Sequence, residues 1–398
     1  MKTVYLFLSL DESDLFVGEL SSTFTHGKEL FSFEFSNEYL NNQKSPLIDP
    51  SLLHYRGRQY DFNFVNDMTP DRFGSLLIDK QEQLLAIEEN RSPKKLSLSD
   101  YLLRVNDLSR MGALRIKEDL NGEFINFDKN SIPPYIYLRD IEYASRQLEN
   151  NNDVSEDTYK RLLLPGSSLG GARPKANVYY NDDVYLAKFP SQNDGYDVEL
   201  WEYIALNIAK ELDINVPSAF VEKYSKYGHT LLVKRFDRKE GKRIHYLSAV
   251  TALKATDGQS GHYSYLDLVN FINSECINIK ENLLELYKRM VFTYLINNTD
   301  NHLRNHAFIY DGKGFNLSPL FDVNPSFSTS SFELPFGMGN DKDGLLSMSK
   351  YFYVEENEAL NIYELFKTKI IQMINGYVDE YPSIKKEAIV LINMIERK

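Results

Sequence analysis

Hydrophobic and polar positions along the chain follow two different periods. In "ELFSFEFS" (29–36) apolar residues alternate with polar ones, the two-residue period of a half-buried strand. Around 71–88 and 98–105 the spacing turns helical. In "NLLELYKRMVFTYLI" (282–296) positions 283, 286, 287, 290, 291, 294 and 295 are apolar, which predicts a strongly amphipathic helix. Stretches 357–376 and 383–397 predict two more. Between 159 and 238 the pattern gives a glycine-bearing loop, two strand-like runs, a helix and further strands. "HAFIY", "DGKG" and "FNLSPLF" (306–321) read together as a β-hairpin. Helices dominate beyond about 264. The pattern predicts an α+β chain in two lobes, with a β-containing N-terminal region and a mostly helical C-terminal lobe. The polar segment "SRQLENNNDVSED" (145–157) marks one boundary. The expected domains are 1–150, 151–240 and 241–398.

Composition narrows the class. The 398 residues are 42% hydrophobic and 26% charged, as in ordinary globular proteins. A formal net charge of −12 argues against a chain that coats nucleic acid unaided. The single cysteine, Cys276, has no internal disulfide partner and fits a reducing compartment as a small buried hydrophobe. "VYLFLSL" (4–10) faintly resembles a signal peptide, but it lacks a small-residue cleavage site and runs straight into Asp11 and Glu12. No apolar run approaches the ~20 residues of a membrane span. A cytoplasmic protein without membrane contact is expected. "KRFDRKEGKR" (234–243) is locally basic; Asp237 and Glu240 dilute it and no aromatic interleaving supports nucleic-acid binding, so a solvated hairpin is expected.

The candidate chemistry lies at the join between mixed and helical regions. In "NNTDNHLRNHAFIY" (297–310), Asp300 and Asn305 are separated by four residues. Protein-kinase-type phosphotransferases use that spacing: the Asp orients or deprotonates the acceptor hydroxyl and the Asn holds Mg²⁺. The hairpin after Asn305 returns Asp322, in "LFDVNP", beside the loop. A structural turn with an Asp cap explains the same residues without chemistry. Upstream, "GSSLGGARPKANVYY" (166–180) puts three glycines and two cations before a strand, a composition that lets backbone N–H groups approach phosphate. It equally describes a plain turn. Lys188 sits in the apolar run "VYLAKFP", and the following helix carries Glu199 and Glu202 in its first turns. A strand Lys followed by a helix Glu is the ion pair that aims Lys at ATP phosphates, while a snorkelling edge Lys is the plainer reading. The order loop, Lys, Glu, Asp–Asn, hairpin, Asp is the order a kinase needs.

Through these residues the chain resembles the HipA-like serine/threonine kinases, toxins of bacterial toxin–antitoxin pairs. The similar segments are "SSLGGARPKA" (167–176), "AKFP" (187–190), "LVKRFDR" (232–238), "NNTDNHLRNHAF" (297–308) and "LFDV" (320–323), with "PDRFG" (70–74) and "RMGALRI" (110–116) in the first third. The resemblance implies an ATP- and Mg²⁺-dependent kinase with Asp300 as catalytic residue and Asn305 and Asp322 as metal ligands. It implies that Lys188, supported by Glu202, contacts the phosphates. The loop of Ser168, Leu169, Gly170, Gly171, Ala172 and Lys175 would cover them, Lys234 and Phe236 would flank adenine, and Ser168 or its neighbour Ser167 would be autophosphorylated. His302 is expected to be a catalytic-loop residue that positions rather than shuttles protons. The implied partners are a helix-turn-helix antitoxin of HipB type, operator DNA reached only through it, and a protein substrate such as an aminoacyl-tRNA synthetase.

Two other classes compete. A metal-dependent phosphohydrolase would use Asp300, His302, His306 and Asp322 as ligands, since His302 and His306 have the spacing of one helical face. A non-catalytic, antitoxin-binding pseudokinase would consume no ATP. The polar run "FSTSSFELPFGMGNDKDG" (327–344) follows Asp322 where kinases place a mobile activation segment; a long surface loop is the alternative.

Overall fold

The computed structural model describes residues 2–10, 14–70, 72–128, 131–150, 155, 173–256, 258–328 and 330–398. Contacts gather the chain into two compact units, residues 1–192 with 232–247, and residues 193–231 with 248–398. This grouping differs from the expected division at 150 and 240. The reason is local. The strands near 175–188 attach to what precedes them, with Tyr179 N–H donating to the Pro133 carbonyl at 3.0 Å. The helix Val198–Glu211 packs instead against the long helix Glu356–Glu380.

The first unit opens with four antiparallel strands, β1 (Lys2–Ser9), β2 (Asp14–Thr25), β3 (Lys28–Phe35) and β4 (Leu114–Lys117), in the spatial order β3-β2-β1-β4. Alternation along them sends Leu6, Leu20, Phe33 and Ile116 into one core with Phe64 and Leu102. Fully burying side chains of this kind stabilises by about 1.5–3 kcal/mol each. Leu102 arrives on the helix Leu98–Arg104, which starts at a reciprocal Ser97–Asp100 capping box. Arg110 is almost wholly buried, and its guanidinium donates to the carbonyls of Met68, Leu102 and Val105. Burial lowers its pKa to about 10.

Two further strands, β5 (Lys175–Tyr180) and β6 (Asp183–Lys188), form a hairpin. Its two turn residues, Asn181 and Asp182, have φ of 49° and 64°, the left-handed pair that a tight twisted hairpin requires and that Asn and Asp tolerate.

The basic run 234–243 does close a short hairpin, Arg238–Lys239 paired with Lys242–Arg243 and exposed at its tip, but the charges that lead into it are not solvated. Arg235 and Asp237 are 5% and 1% exposed. Asp237 takes Arg235 bidentately at 2.8 and 2.6 Å, Arg238 at 2.6 Å and the Gly112 N–H at 2.7 Å. Arg235 donates onward to the Ser109 carbonyl and to Asn177 Oδ1, while Arg243 and Arg115 share Asp107. Charge that looked suited to water instead ties this strand to "RMGALRI".

The second unit is mostly helical. Helix Ile279–Leu295 runs through its core, flanked by Tyr265–Glu275 and Glu356–Glu380, with Lys385–Arg397 against the last. The predicted hairpin is present, Ala307–Tyr310 antiparallel to Phe315–Leu317. Among the described residues no helix is long and apolar enough to cross a membrane.

Candidate active site

The core helix Ile279–Leu295 ends at a left-handed residue, Asn297 (φ 57°), which turns the chain into the loop bearing Asp300. Asp300 is exposed, but its main chain is fixed: its carbonyl accepts the His302 N–H at 3.2 Å and Asn305 Nδ2 at 3.0 Å. A single 3₁₀ turn, Leu303–Asn305, carries Asn305 back. Asn301 reaches the Tyr265 hydroxyl at 2.9 Å, and the Leu303 N–H reaches Ser260 Oγ at 3.0 Å. The loop is therefore held by neighbours on both sides.

The hairpin then does what its spacing predicted. Asn282 accepts the Leu317 N–H at 2.7 Å and Arg289 donates to the Ser318 carbonyl at 2.7 Å, so the core helix sets where the second strand leaves. The chain reaches Asp322, which adopts φ 54°, and Asn305 Nδ2 also lies 3.5 Å from the Asp322 carbonyl. One side-chain amide thus spans Asp300 and Asp322. With its nitrogen edge committed to two carbonyls, Asn305 presents its oxygen on the other edge, the atom a hard cation would take. The donor set available here, a carboxylate and an amide oxygen, fits Mg²⁺.

The histidines divide. His302 is half-buried, and among the described residues its Nδ1 has no hydrogen-bond partner; its visible contribution is the backbone carbonyl that receives the Asn305 N–H at 2.9 Å. His306 is buried edge-on against Tyr265, and burial, then the Arg289 and His302 charges, lower its pKa to about 3. It is a neutral core histidine. Among the described residues no three His, Cys, Asp or Glu side chains converge to hold a metal, so the four-ligand hydrolase site is not formed.

The segment after Asp322 is anchored rather than loose. Ser326, Glu333 and Leu334 N–H groups donate to the carbonyls of Asn297, Thr299 and Asn301 at 3.0, 3.0 and 3.1 Å. Leu334 and Phe336 are fully buried. Phe327 packs against Tyr196 and Trp201, with ring centroids 4.8 and 5.1 Å apart. Trp201 belongs to the helix Val198–Glu211, whose Glu199 and Glu202 are both buried. That helix begins at Asp197, which accepts the Leu200 N–H and takes both the His229 N–H and ring Nδ1, at 3.0 and 2.6 Å. Burial would raise the Asp197 pKa, yet the His229 bonds bring it below the usual value. This Asp–His clamp was missed in the sequence, although an Asp immediately before a helical run is a recognisable cap.

In the first unit, Lys175 and Lys188 face each other directly across the β5–β6 pair, and both are 6% exposed. Like charges opposite one another on a strand pair are unfavourable unless anions neutralise them. Lys234 is tied to Asp183, which raises its pKa. Phe236 lies beside Tyr246. The expected phosphate-loop residues Ser167, Ser168, Leu169, Gly170, Gly171 and Ala172 lie outside the described residues.

Comparison with known proteins bears on the family and the fold. A protein of Haemophilus influenzae, named as a presumptive kinase, is 28% identical over 231 residues, 51% of this chain and 66% of its own length, just under two thirds. A second presumptive kinase, from Sinorhizobium fredii, is 24% identical over 77% of this chain and 75% of its own length. The HipA chain of a Shewanella oneidensis toxin–antitoxin complex with HipB and operator DNA superposes with a TM-score of 0.68 at 19% identity, over 98% of this chain and 97% of that one. That likeness establishes the fold. The family described as the HipA-like C-terminal domain matches residues 167–375, more than half of the sequence, and the chain belongs to that family.

Proposed function

We propose that the protein is an ATP- and Mg²⁺-dependent serine/threonine protein kinase acting in the cytoplasm as the toxin of a toxin–antitoxin pair. The observation that carries this reading is the Asn305 amide bridging the backbones of Asp300 and Asp322, with the Asp300 side chain left exposed. Asp300 orients the acceptor hydroxyl and takes its proton. His302 positions the loop through its carbonyl. Lys175 and Lys188 neutralise phosphate charge, Glu202 steadies Lys188, and Lys234 and Phe236 border the base. Mg²⁺ held by Asn305 and Asp322 would offset charge on the phosphates. Catalysis is then mostly positioning and electrostatics. The Shewanella HipA was solved with HipB and operator DNA; by that likeness we assign this chain a helix-turn-helix antitoxin that carries the DNA contact. A translation factor such as an aminoacyl-tRNA synthetase is the proposed substrate.

Calorimetry tests the metal site. Asp322→Ala, or chelation of Mg²⁺, is expected to weaken ATP binding about tenfold or more, a loss of ~1.4 kcal/mol. Unchanged affinity under both conditions would remove Asp322 from the site.

The same reading places self-modification on Ser168 or Ser167. A phosphate there adds about −1.5 to −2 charges near those of ATP and should lower nucleotide affinity. Mass spectrometry should find it in active protein and not in an Asp300→Asn form. Phosphate equally present in both would exclude autophosphorylation.

A further inference from the structure

We infer that Lys398 is a positioning residue that holds the Asp300 loop and the segment after Asp322 in one register, an inference that rests on the kinase reading. Lys398 follows the helix Lys385–Arg397 and is far from Asp300 in sequence, yet its ammonium lands where the core helix Ile279–Leu295 ends. Its Nζ donates to the Tyr294 carbonyl and to Asn297 Oδ1, the latter at 3.3 Å. The charge also lies over the Tyr294 ring, 4.5 Å from its centroid, and 5.9 Å from that of Phe332. The Tyr363 hydroxyl donates to the Lys398 carbonyl at 2.5 Å, fixing the residue from its other side.

These contacts converge on Asn297. Its Oδ1 faces Lys398, while its Nδ2 donates to the carbonyls of Ser326 and Ser328 at 2.9 and 3.1 Å. Its own carbonyl takes the Ser326 N–H. Asn297 lies three residues before Asp300, and Ser326 four after Asp322. A cation polarising the amide oxygen strengthens the donors on the same amide, and a cation at a helix C-terminus is favourable in itself. Phe332, whose ring borders the ammonium, directly precedes the Glu333–Leu334 ladder to Thr299 and Asn301. Removing the charge therefore loosens both anchors of the segment together and leaves Asp300, Asn305 and Asp322 chemically intact.

The test compares Lys398→Met, which keeps most of the stem, with Lys398→Arg, which keeps the charge. Hydrogen exchange at the Ser326, Glu333 and Leu334 amides should quicken at least about tenfold in the Met variant. Amides inside Ile279–Leu295 should stay protected. Phosphotransfer should fall about tenfold in kcat with KM for ATP within about twofold, a split that general destabilisation does not produce. The Arg variant should retain both protection and turnover. Exchange in the Met variant equal to wild type, or loss in the Arg variant alone, would overturn the inference. A wild-type protein that transfers no phosphate defeats the kinase reading instead, and the exchange comparison then still decides whether Lys398 sets the register.

Discussion

Asp300→Asn is expected to reduce phosphotransfer by about 10²-fold or more with the fold unchanged. General-base assistance by one positioned side chain contributes about 10²–10⁴-fold. The isosteric amide keeps size and polarity but does not accept the hydroxyl proton. The substitution is clean because the bonds that fix this loop at Asp300 run through its backbone, from the His302 N–H and Asn305 Nδ2 to its carbonyl. The carboxylate itself is exposed, so little stability rides on it. The chain's one tryptophan supplies the control. Trp201 is buried against Phe327, which lies five residues beyond Asp322, so its emission reports the packing of the segment beside the site. Wild-type emission together with lost transfer of labelled phosphate is the expected pair of results. Near wild-type transfer would make Asp300 a turn residue and return the loop to its structural explanation.

What could be read in advance divides by the kind of force involved. Helix 282–296 and hairpin 306–321 were legible because burial imposes a period on side chains, and the structure places them at Ile279–Leu295 and at Ala307–Tyr310 with Phe315–Leu317. Asn305 and Asp322 were brought together because a short hairpin must return to its start. The segment after Asp322 was harder. Its polar residues suggested a loose loop, but backbone groups of Ser326, Glu333 and Leu334 pin it, and backbone bonds leave no side-chain signature. Lys398 and Asn297 were invisible for a related reason: their meeting depends on how Lys385–Arg397 packs, not on spacing. Local charge density misled most. "KRFDRKEGKR" has the composition of a wet surface, and sequence counts charges without showing which carbonyls await them.

Asp237→Asn tests that last point and should be among the most destabilising single changes in the first unit. Asp237 is 1% exposed and faces Arg235, Arg238 and the Gly112 N–H. Burial alone would raise its pKa. The Arg235 and Arg238 charges, the Arg235 hydrogen bonds and the Gly112 N–H outweigh burial and hold the carboxyl well below the ordinary range. A depressed folded-state pKa means stability that is fully present above the unfolded carboxylate range and lost progressively as pH falls from that range through the lower folded value. The network should therefore survive mild acid. The amide removes the negative charge and leaves two guanidinium groups facing each other in the interior. Breaking a buried pair from one side costs about 3–5 kcal/mol. Urea unfolding should show this as an earlier first transition for Asp237→Asn, with the wild type holding its midpoint down to about pH 5, above the range where ordinary carboxylates titrate. Arg238→Gln in the same background removes one of the stranded cations, so the double variant should be less damaged than the sum of the singles by more than about 0.5 kcal/mol. Additive losses, or an Asp237→Asn protein as stable as wild type, would mean that water reaches these charges after all.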